Sequence, residues 1–290
     1  MNLAVALKLG RVSNLPTVWT NVFTGMALAA GVGAEPRLAI LIVSLSLFYI
    51  GGMFLNDAFD SGFDARARPE RPIPSGQVSV AQVYAMGFGM LGIGIALLAW
   101  VGYAFEPRTQ WRPVVAGLAL AAAIVFYNWH HKENPLSPLV MGLCRMLVYL
   151  SAAFAVAATL PAEVYVAAAV LLCYLIGLTY AAKKEHLGRL DSFWPLAFLA
   201  VPVAYGAWLA LREPMVLLPL VALSAWILFA LKLLRRRGKG DVPRAVVSLI
   251  AGISLLDAIL LCGAAQWTLA VLAACAFLLT LALQRWVSGT

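Results

Sequence analysis

Ten apolar stretches of 16 to 25 residues follow one another along the chain, parted only by short polar breaks. A membrane-spanning helix takes about 20 such residues. The stretches run Leu15–Val32, Leu38–Leu55, Ala81–Phe105, Val114–Trp129, Pro138–Thr159 and Val164–Ala182, then Phe193–Leu211, Met215–Leu234, Ala245–Gly263 and Trp267–Trp286. The pattern predicts an all-α fold: a polytopic transmembrane bundle of nine to ten helices, ten if every break is real and nine if one is false, forming one domain over residues 1–290. One of the narrowest breaks, only three residues long, is Arg212-Glu213-Pro214, whose charges mark a loop. The first stretch runs on past Ala30, which predicts a retained helix and not a cleaved signal peptide.

Charge sets the orientation. Only 12% of the residues are charged, about half the share in a soluble domain. With the N-terminus in the cytoplasm, 16 of the 21 Lys and Arg fall inside and 4 outside, with Arg145 left within a helix. Positive residues favour the inner side. The expected protein is therefore a multi-pass protein of the bacterial inner membrane, its polar loops cytoplasmic. A net charge of +8 suits loops that face anionic membrane lipid. No basic patch alternates with exposed aromatics, so no nucleic-acid partner is expected. Cys144, Cys173, Cys262 and Cys275 lie in apolar stretches without metal-ligand spacing and read as packing residues.

The chemistry is concentrated in Asn56–Gly76, NDAFDSGFDARARPERPIPSG, between the second and third stretches. Asp57, Asp60 and Asp64 stand at i, i+3 and i+7, one face of a helix, so their carboxylates are expected to converge. Converging carboxylates repel one another unless a cation lies between them. Hard oxygen ligands suit Mg²⁺, which commonly joins one or two carboxylates to substrate phosphates. Arg66, Arg68 and Arg71 follow, and arginine forks match phosphate oxygens. Juxtamembrane charge can also be no more than a solvated loop that sets topology. Acids contribute little to topology, however, so their ordered spacing favours a site that holds a diphosphate through Mg²⁺.

Asn56-Asp57-Ala58-Phe59-Asp60 with Asp64 resembles the NDxxDxxxD motif of the UbiA family of intramembrane prenyltransferases. Arg71-Pro72-Ile73-Pro74-Ser75-Gly76 resembles the RPxxxG segment that follows it there. The resemblance implies a helical bundle, usually of nine helices, with a cytoplasmic polar cap over a lipid-facing chamber. It implies Mg²⁺ as cofactor, a prenyl diphosphate as one substrate and a lipophilic, typically aromatic, acceptor as the other. Asp57, Asp60 and Asp64 become metal ligands, and Asn56, Arg66, Arg68 and Arg71 diphosphate contacts. Tyr127-Asn128-Trp129-His130-His131-Lys132 is similar to the family's YNxxxK segment, whose lysine, Lys132 here, faces the diphosphate. Gly142-Leu143-Cys144-Arg145-Met146-Leu147 resembles a GLxRxL pattern, and Lys132 and Arg145 are the candidate catalytic residues.

The family's second acidic motif is matched poorly. After Tyr180-Ala181 the chain offers Lys183, Lys184, Glu185 and Asp191. Glu185 and Asp191 are the candidate ligands of a second metal, and Lys183 and Lys184 candidate diphosphate contacts. That erosion also fits a non-catalytic lipid- or pigment-binding protein on the same fold. A small-solute transporter is disfavoured, because the halves of the chain show no repeat.

Other polar residues are read singly. Adjacent His130 and His131 point apart on a helix and read as interfacial residues, and Phe59, Tyr127 and Trp129 as aromatics able to shield an allylic cation. Asn14 and Asn21, two turns apart, face either a cavity or another helix. Asp257 is an intramembrane acid, with a bridge to Arg145 or a protonated state as its alternatives. Gly87, Gly89, Gly92 and Gly94 read as close helix packing.

Overall fold

The computed structural model describes residues 1–30, 36–132, 134–183, 194–236, 238–287 and 289. They form twelve α-helices and no strand. These are α1 (Leu3–Leu9), α2 (Leu15–Ala30), α3 (Pro36–Phe59), α4 (Ser61–Ala67), α5 (Val80–Ala104) and α6 (Arg112–His130). There follow α7 (Ser137–Phe154), α8 (Ala162–Lys183), α9 (Ala200–Ala210), α10 (Leu217–Arg236), α11 (Asp241–Gly263) and α12 (Trp267–Leu283). A 3₁₀ turn, Trp194–Leu199, leads into α9.

Each of the ten expected segments carries a helix. Seven of the described helices are long and apolar enough to cross a membrane: α3, α5, α6, α7, α8, α10 and α11. Three are shorter. They are α2, with 16 residues, α12, and α9 with its leading turn. The two further helices are seven-residue pieces. α1 buries Val5 and Leu9 and exposes Leu3 and Leu7. α4 follows α3 after the single residue Asp60.

Local sequence fixes several helix starts. Ser79 caps α5 through the Gln82 amide, and the Gln82 side chain answers on the Ser79 backbone. Pro113 and Pro138 stand in the first turns of α6 and α7, where the missing N–H has no helical partner to lose. Gly76, with φ of 75°, closes the RPIPSG turn in a left-handed conformation open to glycine.

Packing follows two cores. One gathers α7, α8, α10 and α11 around Tyr149, Leu171, Tyr174 and Ile253. The other joins α2, α3, α5, α6 and α7 around Val22, Phe48, Leu98 and Leu120. α11 is buried along almost its whole length. The peripheral helices α5, α6, α10 and α12 each leave large apolar side chains outward, among them Phe88, Leu118, Leu228 and Leu278. Lipid gives helices no hydrophobic reason to associate, so small residues must let them approach. A Cβ on Gly25 of α2 would lie 2.6 Å from the Tyr149 carbonyl of α7. The glycines of α5 divide. Gly87 and Gly94 face Leu55 and Phe48 of α3, while Gly89 and Gly92 meet nothing within 4 Å and face outward. The reading of all four as packing glycines is corrected to two, because residues seven apart share a face and those two or five away do not.

Candidate functional site

The two cores enclose a chamber of about 580 Å³. Its inner wall is largely apolar, with Val18, Phe48, Leu120, Val148, Leu175 and Ile253, and carries Asn14, Tyr49 and Arg145 as polar exceptions. Its mouth is charged, with Arg11, Asp60, Asp64, Arg68, Arg71 and Lys132.

The mouth is built on the junction of α3 and α4. Backbone bonding runs on through it, since Asp60 N–H donates to the Asn56 carbonyl (3.0 Å) and Asp64 N–H to that of Asp60 (2.9 Å). The acids therefore keep helical spacing, but their carboxylates part. Arg71 NH1 lies 3.2 Å from Asp57 Oδ1 and 2.9 Å from Asp64 Oδ2, bridging the two. Asp60 turns instead to Lys132, whose Nζ lies 2.9 Å from Oδ1. His131 Nε2 stands 3.6 Å from the other oxygen of Asp60. Among the described residues no three acids or imidazoles gather closely enough to cage an ion. The expected three-way convergence thus gives way to carboxylates held apart by the protein's own cations. Repulsion between like charges is relieved in both arrangements.

Turn chemistry carries Arg71 back to the acids. Ser75 donates through its backbone N–H (3.0 Å) and through Oγ (2.7 Å) to the Arg71 carbonyl, and Gln77 N–H reaches Pro72 O (3.0 Å). From the other side comes Arg11, with φ of 42° between α1 and α2. A non-glycine residue held there costs about 1–3 kcal/mol and marks an over-determined position. Its NH2 donates to Asn56 Oδ1 and to Asp57 Oδ1, each at 3.2 Å. Asn56 Nδ2 donates to Asn128 Oδ1 (3.1 Å), and Asn128 Nδ2 to the Gly52 carbonyl (3.1 Å), tying α6 to α3. Lys132 also lies 4.1 Å from the Phe63 ring centre, a cation–π contact.

Arg145 enters the chamber wall from α7. Its NH1 donates to Asn21 Oδ1 (2.9 Å) and its NH2 to Thr17 Oγ1 (3.1 Å). The guanidinium lies 5.4 Å from the Tyr49 ring centre. Tyr49 precedes Asp57 by eight residues on α3, about 12 Å along the axis. Asp257 does bridge to Arg145, but only through the Asn21 amide. Asn14 instead holds the Tyr49 hydroxyl (3.2 Å) and the Gly289 carbonyl (2.9 Å).

Several sequence expectations shift. His131 belongs to the mouth, with its ring stacked on Tyr127 at 4.9 Å between centres, whereas His130 stays exposed. Adjacency separated the two rings as expected, and one of them landed inward. Trp129 is 70% exposed and lies outside the chamber, and Phe59 packs edge-on against Tyr84; of the three expected aromatics only Tyr127 lines the cavity. Arg68 lines the chamber while Arg66 is exposed and away from it. Lys183 ends α8, and Lys184, Glu185 and Asp191 lie outside the described residues. Arg11 escaped sequence reasoning, since a lone arginine before the first span reads as topology charge.

The sequence profile of the UbiA prenyltransferase family matches residues 18–252. The chain belongs to that family and is a membrane-embedded prenyltransferase by class. It is 30% identical over 269 residues to a digeranylgeranylglyceryl phosphate synthase of Methanopyrus kandleri, covering 90% of this chain and 89% of that one. A synthase of the same name from Metallosphaera sedula is 30% identical over 122 residues, and that alignment spans 42% of this chain and 40% of the relative. A chlorophyll synthase of Avena sativa matches 77 residues at 35% identity, 25% of this chain and 18% of that protein. Among solved structures, one of a digeranylgeranylglyceryl phosphate synthase superposes with a TM-score of 0.64 at 16% identity, covering 91% of this chain and 99% of that one. A UbiA homolog from Archaeoglobus fulgidus bound to GPP and Mg²⁺ gives 0.58 at 13% identity, over 88% and 99%. At those identities the structures establish the shared fold.

Proposed function

We propose that this protein transfers a prenyl group from an isoprenoid diphosphate to a lipophilic acceptor within the membrane, releasing pyrophosphate, and that the transfer requires Mg²⁺. The observation that carries this reading is one chamber with a charged mouth and an apolar interior. A molecule with a diphosphate head and a hydrocarbon tail fits both ends at once.

The donor set at the mouth is oxygen-rich and hard, which suits magnesium. Asp57, Asp60 and Asp64 would hold it, with Glu185 and Asp191 as candidates for a second ion. When bound, the metal would neutralise diphosphate oxygens as charge develops on them. Arg71 and Lys132 each hold a carboxylate at 2.9 Å. With those carboxylates engaged on the ion, both side chains would be free to bind phosphate oxygens, as would Arg11 and Arg68 at the same mouth, and Lys183, the last residue of α8, and Lys184 are the remaining candidate contacts. The bond between the allylic carbon and the diphosphate oxygen breaks, and its electron pair stays on oxygen. Lys132 and Arg71 stabilise that leaving charge. The Tyr127 ring lines the chamber wall and would shield the carbon that becomes cation-like. The acceptor attacks that carbon and loses a proton.

The names of the relatives favour a glyceryl phosphate lipid over an aromatic ring as acceptor. The mouth opens to the cytoplasm in this reading, where a soluble diphosphate head is met. The test is pyrophosphate release by the protein in liposomes, with Mg²⁺ or chelator. Prenyl diphosphates of several lengths are combined with prenylated glyceryl phosphates, phenolic acids and tetrapyrroles. Metal-dependent release that requires one acceptor supports the reading. Diphosphate binding without release under every combination overturns it and leaves a lipid-binding protein.

A further inference from the structure

Behind the chamber wall lies a carboxylate that prenyl transfer does not call for. Asp257, on α11, is fully buried. Its Oδ2 accepts from Asn21 Nδ2 at 2.8 Å, and its Oδ1 accepts from the Tyr149 hydroxyl. Asn21 turns its own Oδ1 to Arg145 NH1 at 2.9 Å. Neither Asp257 nor Asn21 lines the chamber, but Arg145 does. Carboxylate, carboxamide and guanidinium thus form a line across α11, α2 and α7.

The order of groups in that line matters. A carboxylate only accepts and a guanidinium only donates, while an amide does each at opposite ends. A direct Arg–Asp pair would occupy the flat fork of the guanidinium. With the amide between them, Arg145 uses one N–H on Asn21 and one on Thr17, out of five donors in all. The remaining donors are left for the chamber. A cation buried in apolar surroundings needs a negative charge nearby, and Asp257 supplies it without covering the working face. Arg145 lies against the Tyr49 ring, and Tyr49 precedes Asp57 by eight residues on α3, about 12 Å along the axis, so Arg145 stands deeper in the chamber wall than the acids of the mouth.

We propose that Asp257, acting through Asn21, is a positioning residue that fixes Arg145 in the chamber wall, and that Arg145 there takes an anionic oxygen of the acceptor. The assignment rests on the prenyl-transfer reading. It extends that reading to a residue that touches neither substrate.

The test compares two acceptors, a glyceryl phosphate ether with one geranylgeranyl chain and the same ether without its phosphate. Binding of each is measured by isothermal titration in detergent. Turnover gives KM for acceptor and for prenyl diphosphate, and thermal unfolding reports stability. Wild type should prefer the phosphate-bearing ether. Asp257→Asn should weaken that preference about tenfold or more, the scale on which supporting hydrogen bonds act elsewhere, with KM for prenyl diphosphate unchanged. The double variant Asn21→Asp/Asp257→Asn exchanges amide and carboxylate at constant charge and keeps each hydrogen bond possible. It should restore the preference to within about threefold: the carboxylate at position 21 accepts from Arg145 through one oxygen and from the amide at position 257 through the other, so the negative charge returns without a two-oxygen clasp on the fork. The proposal is overturned if Asp257→Asn alters both KM values equally, if it alters only the unfolding temperature, or if the exchange restores nothing. Failure of both variants to fold would assign the carboxylate to folding and overturn it too. A binding preference that responds to Asp257 in a protein without turnover would sink the transfer reading and leave the positioning role standing.

Discussion

The chamber has two charged regions, and they hold their charges in opposite ways. At the mouth, acid meets base directly: Arg71 with Asp57 and Asp64, Lys132 with Asp60, Arg11 with Asp57. Several of those side chains keep some exposure, Lys132 as much as 40%. In the interior, Arg145 and Asp257 do not touch, and an amide separates them. An ion pair near water, as Lys132 with Asp60 is, has only a small net value and exchanges partners cheaply, while Asp57 and Asp64 are buried and share the Arg71 cation between them. A buried charge stripped of its partner is costly, so it must stay fixed. The mouth therefore suits a site whose cations pass from carboxylate to phosphate, and the interior suits a site that must not move.

Substitutions sharpen this contrast, and the largest effect is expected at the mouth. Asp60→Ala should reduce pyrophosphate release by about a hundredfold or more, because it removes an oxygen ligand and strands Lys132. Release that persists at the wild-type rate would end the metal-binding assignment. Arg71→Gln comes next. It breaks two contacts to carboxylates and should weaken prenyl diphosphate binding by roughly ten- to a hundredfold, read by titration with a non-hydrolysable analogue. Unchanged binding would mean that Arg71 only staples the loop.

Packing in the interior gives a smaller effect of a different kind. Gly25→Val on α2 meets the Tyr149 carbonyl and should cost about 1–3 kcal/mol, seen as a lower unfolding temperature in detergent. A melting curve matching wild type would show that α2 and α7 can part freely, which the fixed Arg145 position does not allow. Arg66→Ala should change turnover by no more than about twofold, as expected for an exposed residue outside the chamber. A large loss would put Arg66 back among the diphosphate contacts.

How much of this was legible beforehand depends on the distance over which residues had to meet. Asp57, Asp60 and Asp64 were found because helical spacing alone relates them. Lys132 was found by motif, and it meets Asp60 across the bundle. Arg11 was not found, because its partners Asn56 and Asp57 lie 45 and 46 residues away. Adjacency makes the His130 and His131 rings diverge but does not say which of the two turns inward. Among the glycines of α5, the seven-residue interval between Gly87 and Gly94 was the usable signal, and composition alone obscured it.

The sequence by itself determined that the chain is a membrane bundle, where its ten apolar helical segments lie, and which loop holds acids and arginines. Those properties are local: runs of apolar residues, caps, turns and spacing within one helix. Tertiary structure decided which polar side chains meet, as in the contacts of Asn21 with Arg145, 124 residues on, and with Asp257, 236 residues on. A helix in lipid is apolar on its outer and inner faces alike, so no amphipathic stripe announces which side turns to the chamber. Only the packing of one helix against the next settles that, and with it the split between an exchangeable mouth and a fixed interior.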